Sequence, residues 1–388
     1  MTLFSDRLPW DTPRNAYSLL LQEKRRPGER LLDLTIANPT EAFSDYPHPD
    51  IARAYGAIAD FRYEPHPFGA PQARQTIADW YAAHKLAVTA ERIALTASTS
   101  EAYSVLFKLL CDPGDELLIP CPSYPLFEYL ARAEAVKTVP YQLRYDGSWF
   151  IDFDSVRAAI TSRTRAIVVV NPNNPTGSFL KESELRQWAA FGLPLISDEV
   201  FMTYPSASGQ PDRVSSLIHN QDLLSFSLNG LSKAAGMPQM KLAWIVVNGP
   251  ASERAMVLGR LELLLDNYLS VSTPVQQALP DLLARIGADM HKRITERICQ
   301  NRAALKTLQG SAIEPLMSEA GWSAILQIPN VRSEQDWITR LLAEDGVVMQ
   351  PGYFYDMAKE AFVVVSLLTK QADFSEGIHK LKQRVERG

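Results

Sequence analysis

Lys233 follows an apolar, strand-like segment and ends the string Asn229-Gly-Leu-Ser-Lys233. A primary amine at such a place can form an imine with an aldehyde group and so act in covalent catalysis. Taken alone, however, a lysine in a loop is more often a solvated surface charge. The interpretation therefore depends on which other groups the fold brings to the same place.

Two further polar strings follow apolar, strand-like segments. Asp198 lies in SDEVF, where its carboxylate can pair with a cationic ligand atom or simply cap a helix. Asn174 lies in NPNNPTG, where two prolines and a glycine fix either a binding loop or only a rigid turn. Open α/β sheets bind ligands at the carboxyl ends of their strands, so both strings are candidates for a binding site.

Two more strings follow strands in the same way. Ser98 and Glu101 have the spacing of a helix capping box, and the N-terminus of the same helix can bind a phosphate through its free N–H groups. These two interpretations do not exclude each other. In PSYP, Tyr124 can place its aromatic face on a planar ligand.

The elements that position these strings alternate between apolar strands and amphipathic helices. This alternation predicts an α/β fold with a mostly parallel sheet sandwiched by helices. The predicted strands are 93–97, 116–120, 136–140, 166–171, 195–198, 223–228 and 242–247. The predicted helices between them include 101–111, 181–190 and 254–267.

The pattern changes after Pro274. A long helical region to about residue 309, broken near Gly287, is followed by predicted strands at 323–328 and 362–366 and helices at 334–344 and 373–386. This order predicts a smaller α+β domain. We therefore expect a large domain at residues 45–272 and a small domain made of residues 1–44 and 273–388.

Composition excludes several other classes of protein. The 388 residues are 46% hydrophobic and 21% charged with a formal net charge of −5, which is typical of a globular protein and not of a nucleic-acid binder. No apolar run is long enough to span a bilayer. The six scattered histidines and three cysteines do not have the spacing of a metal site or a disulfide framework. We expect no metal, no membrane partner and a cytoplasmic location.

The strings occur in the order phosphate loop, aromatic residue, asparagine, aspartate and lysine. In that order, NPNNPTG, SDEV and LSKAAGMPQMKLAW resemble the class I/II aminotransferases, the fold-type I enzymes that use pyridoxal 5′-phosphate (PLP). The resemblance covers roughly Leu31 to Ile378. It implies an enzyme that transfers an amino group between an amino acid, or a related amine, and a 2-oxo acid through a Schiff base on Lys233.

The resemblance also implies roles for the cofactor-binding residues. Asp198 would pair with the pyridinium nitrogen, Asn174 would donate to the O3′ oxygen of the ring, and Tyr124 would stack on the ring. The phosphate would be bound by Thr99, Ser100, Ser232 and Lys241. Tyr63 would reach the phosphate of the neighbouring subunit, which implies a homodimer with shared sites.

The sequence departs from the family at three of these places. Phe201 stands where a tyrosine usually donates to O3′, and Tyr204 is a candidate for the replacement hydroxyl. Lys241 stands where an arginine usually binds the phosphate, and lysine lacks its fork geometry. In FVVVS, Val364 stands where an arginine usually binds the substrate α-carboxylate. The replacement cations we consider are Arg14, Lys359 and Lys370.

The missing arginine leaves alternatives open. The first is other PLP chemistry on the same fold, such as that of a decarboxylase, lyase or oxidase. The second is a non-catalytic regulator, which the sequence disfavours because the fold begins near residue 30 without room for a DNA-binding module and because Lys233 is retained.

Overall fold

The computed structural model describes residues 3–10, 15–25, 29–206, 212–359 and 361–388. The strands are β1 (Leu32–Asp33), β2 (Ile93–Thr96), β3 (Glu116–Cys121), β4 (Lys137–Tyr145), β5 (Trp149–Ile151), β6 (Thr164–Val170), β7 (Leu195–Asp198), β8 (Ser225–Gly230), β9 (Ala243–Asn248), β10 (Glu314–Pro315), β11 (Ser323–Gln327), β12 (Val347–Val348), β13 (Gln350–Pro351) and β14 (Phe362–Ser366).

The α-helices are α1 (Ala16–Lys24), α2 (Pro39–Ala42), α3 (His48–Gly56), α4 (Pro71–Ala83), α5 (Thr99–Leu110), α6 (Phe127–Ala133), α7 (Phe153–Ala159), α8 (Glu182–Ala189), α9 (Leu231–Ala234), α10 (Ala251–Asp266), α11 (Thr273–Pro280), α12 (Gly287–Ala304), α13 (Glu334–Arg340) and α14 (Gln371–Arg387). Short 3₁₀ turns occur at Ala90–Arg92, Pro238–Met240, Leu305–Leu308 and Gly352–Tyr355, and π-helical turns at Asp281–Ile286 and Leu341–Asp345.

An eight-stranded sheet with the order β2-β9-β8-β7-β6-β3-β4-β5 forms the centre. Its inner strands β8, β7, β6, β3 and β4 run parallel, whereas β9 lies antiparallel between β2 and β8, and β5 is an antiparallel edge strand beside β4. This confirms the predicted mostly parallel α/β sheet. All seven predicted strands are present, and the short hairpin strand β5 is the one strand of this sheet that the sequence pattern does not predict.

Helices cover both faces of this sheet. Val168 of β6 packs in one cluster with Leu106 of α5 and Leu261 of α10. Its neighbour Val169 packs in a second cluster with Trp188 of α8 on the other face. Successive side chains of a strand point to opposite faces, so a segment covered on both sides is apolar at every position, as residues 166–170 of β6 are.

The predicted helix break near Gly287 is wrong. The chain stays helical from α11 through the π turn Asp281–Ile286 into α12, with αR angles at Gly287. A Cβ on Gly287 would lie 2.8 Å from the Cβ of Ala235, just after α9. The glycine therefore serves close packing against the segment that follows Lys233, and not a stop of the helix.

A second, antiparallel sheet has the order β10-β11-β14-β13 and packs with α12, α13 and α14, which confirms a smaller α+β part. The N-terminal segment joins it, because β1 pairs with β12 and the N–H of Ser366 donates to the carbonyl of Leu34. The division into 45–272 and 1–44 plus 273–388 stays a prediction. No helix among the described residues is long and apolar enough to cross a membrane.

Candidate active site

The carboxyl ends of β6, β7 and β8 lie side by side. Val170 is in register with Asp198, and Asp198 with Leu228, so the loops after these three strands begin at the same edge of the sheet. The N–H of Asn171 donates to the carbonyl of Asp198 at 2.7 Å, which ties the first loop to the second strand. Three candidate residues from separate strings, Asn174, Asp198 and Lys233, therefore follow adjacent strands.

The carboxylate of Asp198 is held by two hydrogen bonds. The Tyr103 hydroxyl donates to Oδ2 at 3.0 Å, and the N–H of Val200 donates to Oδ1 at 3.2 Å. Burial raises the pKa of Asp198, and these bonds and the charge of Lys233 offset the rise only in part. The site thus holds a fixed carboxylate that a cationic ligand atom would stabilise.

Lys233 lies on the single turn α9 directly after β8. Its Nζ is 5.1 Å from the ring centroid of Trp322 and 5.7 Å from that of Phe201. Burial lowers the pKa of Lys233, and the negative charge of Asp198 opposes this effect only in part. The aromatic walls therefore favour the neutral, nucleophilic amine.

The hydroxyl of Tyr204 does not replace the one that Phe201 lacks. It donates to the backbone carbonyl of Lys233 at 2.7 Å. Its ring packs between Trp322 and His291, with centroid distances of 5.2 and 4.6 Å. Tyr204 thus holds the turn that carries the lysine and leaves the wall beside Phe201 apolar.

The N-terminus of α5 is capped as predicted and faces the same site. The side chain of Ser98 accepts from the N–H of Glu101 at 3.1 Å, while the Glu101 carboxylate accepts from the N–H of Ala97. The first N–H groups of a helix, here those of Thr99 and Ser100, have no partner within the helix. Because Tyr103, one turn further along, contacts Asp198, this helix end lies beside the carboxylate.

Ser232 and Lys241 are near each other in the fold. The N–H of Leu231 donates to the carbonyl of Leu242 at 3.0 Å, which joins the segment of Ser232 to that of Lys241. Lys241 has a positive φ of 50° and an exposed side chain, whereas Ser232 is half-buried. The backbone of both residues thus lies next to the turn that carries Lys233.

Tyr124 belongs to this group of residues, whereas Tyr63 does not. The amide of Asn173 donates to Oγ of Ser123 at 3.4 Å, so the segment of Tyr124 lies beside the Asn174 loop. Burial, together with the charge of Asp198, raises the pKa of Tyr124. Tyr63 is 73% exposed and lines a surface groove of about 480 Å³ together with Arg62, His66 and Ser270. Within one chain, Tyr63 is therefore outside the site.

Two contact residues of the site, Tyr103 and Trp322, are not among those predicted from the sequence. Tyr103 could have been found, since it lies one helical turn after Thr99 and so on the same face of α5. Trp322 comes from the smaller sheet without any local motif. Its buried indole N–H has no hydrogen-bond partner among the described residues.

Val364 is buried in an apolar cluster, as its residue type predicts. Its neighbours in this cluster are Trp149, Leu316, Ile325 and Tyr355. Of the replacement cations considered, Lys359 and Lys370 are exposed on the surface, and Arg14 lies outside the described residues. No cluster of metal-binding side chains occurs in the described ranges either.

Comparison with known proteins agrees with this geometry. The chain is similar to the glutamate-pyruvate aminotransferase AlaA of Escherichia coli (strain K12), with 27% identity over 93% of this chain and 95% of that protein. It is 25% identical to the tyrosine aminotransferase of Mus musculus over 89% of this chain and 79% of that protein. The fold matches the alanine aminotransferase structure from Pyrococcus furiosus with a TM-score of 0.83 at 23% identity, covering 96% of each chain.

These relatives do not favour the alternative decarboxylase, lyase or oxidase chemistry. The family model "Aminotransferase class I and II" matches residues 31–381, almost the whole chain. Members of that family are generally PLP-dependent. This protein therefore belongs to the class I and II aminotransferase family and is a transaminase.

Proposed function

We propose that this transaminase binds PLP covalently through Lys233 and moves an amino group from an amino donor to a 2-oxo acid. The observation that carries the proposal is that Lys233, an amine of lowered pKa, follows the strand next to the one that ends in the fixed carboxylate of Asp198. PLP needs both groups, an amine for its aldehyde and an anion for its ring nitrogen. When bound, it supplies the electron sink of the reaction.

The remaining groups fit the other parts of the cofactor. Asp198, held by Tyr103 and the N–H of Val200, would accept the proton of the ring nitrogen. Asn174 would donate its amide to O3′, and Tyr124 would cover one ring face. The free N–H groups at the start of α5 suit a phosphate, because the positive end of a helix attracts anions.

The phosphate would further be bound by the hydroxyls of Thr99, Ser100 and Ser232 and by the ammonium of Lys241. A lysine keeps the charge of an arginine but not its two parallel donors. We therefore expect the phosphate to be bound less rigidly at Lys241 than by an arginine.

During turnover, Lys233 would take the proton from the amine-bearing carbon of the donor and return it to the acceptor. Its lowered pKa favours the neutral amine that a base must be. Phe201 and Trp322 would keep water from this amine, because both rings are buried and lie within 6 Å of it. The carbonyl contact from Tyr204 would keep the lysine turn in place.

We further propose a homodimer in which Tyr63 reaches the phosphate of the partner's site. The exposure of Tyr63, and of Phe61 beside it, supports this, because large aromatic side chains left 73% and 66% exposed are typical of an interface. We place the protein in the cytoplasm, since Cys111, Cys121 and Cys299 are free thiols.

Amino donor and acceptor assays test this function. Glutamate with pyruvate and tyrosine with 2-oxoglutarate are the first pairs to try, because relatives are named for glutamate, pyruvate and tyrosine. We expect PLP-dependent formation of the new amino compound, and its loss in Lys233→Ala but not in Lys370→Ala, a change at an exposed lysine. Equal turnover by Lys233→Ala would contradict the proposal.

A further inference from the structure

One face of the smaller sheet is uncharged where it meets the site. Val364 of β14 is in register with Ile325 of β11 on one side and with Gln350 of β13 on the other. Directly paired residues of antiparallel strands point to the same face, and so do residues two apart. Ser323, Ile325, Val364 and Gln350 therefore share one face.

That face meets the loop of Asn174, one of the loops at the site. The Ser323 hydroxyl donates to Oδ1 of Asn174 at 3.2 Å. The N–H of Ser123, next to Tyr124, donates to the carbonyl of Tyr355 at 3.2 Å. The strand-end loops of the large sheet thus contact this face at two places.

The polar groups at this face are neutral. The Tyr355 hydroxyl donates to Oε1 of Gln350 at 2.5 Å, which leaves the amide N–H groups of Gln350 for another acceptor. The Oδ1 of Asn174 is likewise used by Ser323, so that its amide nitrogen keeps two N–H donors, one proposed for O3′ and one for a substrate oxygen. The indole N–H of Trp149, buried in the Val364 cluster, has no partner among the described residues.

These groups suit a carbonyl oxygen better than an anion. Amide N–H groups satisfy a neutral acceptor fully. A carboxylate at the same place would lose its hydration without gaining a cation, and burying an unpaired charge is costly. A carboxamide can also donate its own N–H to the oxygen of Tyr355 or Ser323, which a carboxylate cannot do.

We propose that the neutral face formed by Asn174, Gln350 and Tyr355 selects substrates that carry an uncharged carbonyl group, such as a primary carboxamide, on the reacting carbon. This inference rests on the proposed function. The amino group and two electrons pass from the amino amide to the acceptor, so that the donor C–N bond becomes C=O while the acceptor C=O becomes C–N.

Matched donors test the proposal on the PLP-loaded enzyme. Alaninamide is compared with alanine and tyrosinamide with tyrosine, each with the same acceptor. We expect kcat/KM to favour the amide by about tenfold or more, since a site of buried polar groups discriminates strongly by hydrogen bonding. An equal or higher kcat/KM for the free amino acids would overturn the proposal.

Binding gives a readout that is independent of turnover. Calorimetric titration of the PLP-loaded Lys233→Ala variant is expected to show a Kd about tenfold lower for each amide than for its acid. If no donor of either kind turns over while the amide still binds more tightly, the proposed function fails and the neutral subsite stands. Tighter binding of the acids would overturn the subsite, whatever the activity.

A charge added to this face should reverse the preference. Gln350 is half-buried at the end of a short strand, so Gln350→Lys brings an ammonium beside Val364. We expect the amide-to-acid ratio of kcat/KM to fall about tenfold or more. Gln309→Lys, at an exposed position, adds the same charge elsewhere and should leave the ratio unchanged. An unchanged ratio in Gln350→Lys would contradict the proposal. If that variant does not fold, the comparison of matched donors is the deciding test.

Discussion

The hydroxyl of Tyr103 donates to Oδ2 of Asp198 at 3.0 Å, and this bond joins the helix that begins at Thr99 to the carboxylate at the end of β7. The side chain of Tyr103 thereby links the start of α5 to the Asp198 carboxylate, and these two groups are proposed to bind opposite ends of one cofactor. The bond also lowers the pKa of Asp198, whereas burial raises it. Removal of the bond should therefore destabilise the ionised carboxylate relative to the protonated one.

Tyr103→Phe should weaken PLP binding. Loss of a hydrogen bond to a buried charged group costs about 1.5–3 kcal/mol, part of which the bond from Val200 will retain. We expect the Kd of PLP, measured by fluorescence titration of the apoenzyme, to rise about tenfold. Tyr141→Phe is the matched control, because that buried hydroxyl donates to the carbonyl of Val168 inside the sheet. Equal PLP affinity of the Tyr103 variant and the wild type would contradict this role.

Lys233 should react as an unusually nucleophilic lysine in the apoenzyme. Because burial lowers its pKa more than Asp198 raises it, the neutral amine forms at a lower pH than in an ordinary lysine. At about pH 8, limited acetylation followed by peptide mass spectrometry should label Lys233 at a low reagent dose. Added PLP should protect Lys233 and leave the exposed Lys370 in the same digest unaffected. Labelling of Lys233 only at high pH would show that its amine stays protonated.

Glu199 should make stability fall as the pH rises. Burial raises the pKa of Glu199 from 4.5 to about 7, although Leu217, Ser216 and Ser227 donate to it. Between these two pH values the folded state binds more protons than the unfolded state, so the free energy of unfolding declines with pH there. The stabilisation that protonated Glu199 gives the folded state is fully present below about pH 4.5 and is lost as the pH rises to about 7 and above.

Urea denaturation of the wild type and of Glu199→Gln from pH 5 to 8 measures this effect. The difference between the two slopes should account for about 2–3 kcal/mol over the range, since one pKa unit corresponds to about 1.4 kcal/mol. We compare the pH dependence of the unfolding free energy and not its absolute value. Glutamine has fewer acceptor sites than glutamate for the donors Ser216, Leu217 and Ser227, so the substitution also changes the absolute stability. Parallel curves for the two proteins would rule out a raised pKa at Glu199.

Gly177→Ala should disturb the packing of the NPNNPTG loop against the segment that precedes β11. Gly177 has a φ of +69°, and a Cβ there would lie 2.0 Å from Oγ of Ser318 and 2.3 Å from the carbonyl oxygen of Ala320. We expect a loss of more than about 3 kcal/mol in the free energy of unfolding, because strain and a backbone clash add. Gly192→Ala is the control, since its φ is +64° but nothing lies within 4 Å of the new Cβ.

That control should cost only about 1–2 kcal/mol, the conformational part of the effect. The two variants thus separate backbone strain from the contact of Gly177 with Ser318 and Ala320. If both lose the same stability in chemical denaturation, the contact of Gly177 with the segment before Trp322 contributes nothing.

The strand ends were predictable from the sequence because they depend on the pattern of apolar and polar residues within each short segment. β7 begins and ends as predicted at Leu195 and Asp198. Its apolar start, Leu195 and Ile196, is typical of a strand covered on both faces. Parallel order then places the residues after each strand at one edge of the sheet. This is why the sequence pattern is sufficient to group Asn174, Asp198 and Lys233.

The walls of the site depend on contacts between distant segments. Trp322 reaches Lys233 from the smaller sheet, 89 positions later in the chain, and no local pattern indicates its direction. Gly287 resembles a helix stop in sequence, but the fold uses it to approach Ala235. The missing arginine at Val364 was visible in the sequence, whereas the neutral pair Tyr355 and Gln350 beside it was not.

The most direct test of the central claim is chemical. The purified protein, loaded with PLP, is reduced with borohydride, digested and analysed by mass spectrometry. We predict that the phosphopyridoxyl mass is attached to Lys233, and that Lys233→Ala carries no such label. Attachment at another lysine, or PLP bound only without a covalent bond, would contradict the role assigned to Lys233.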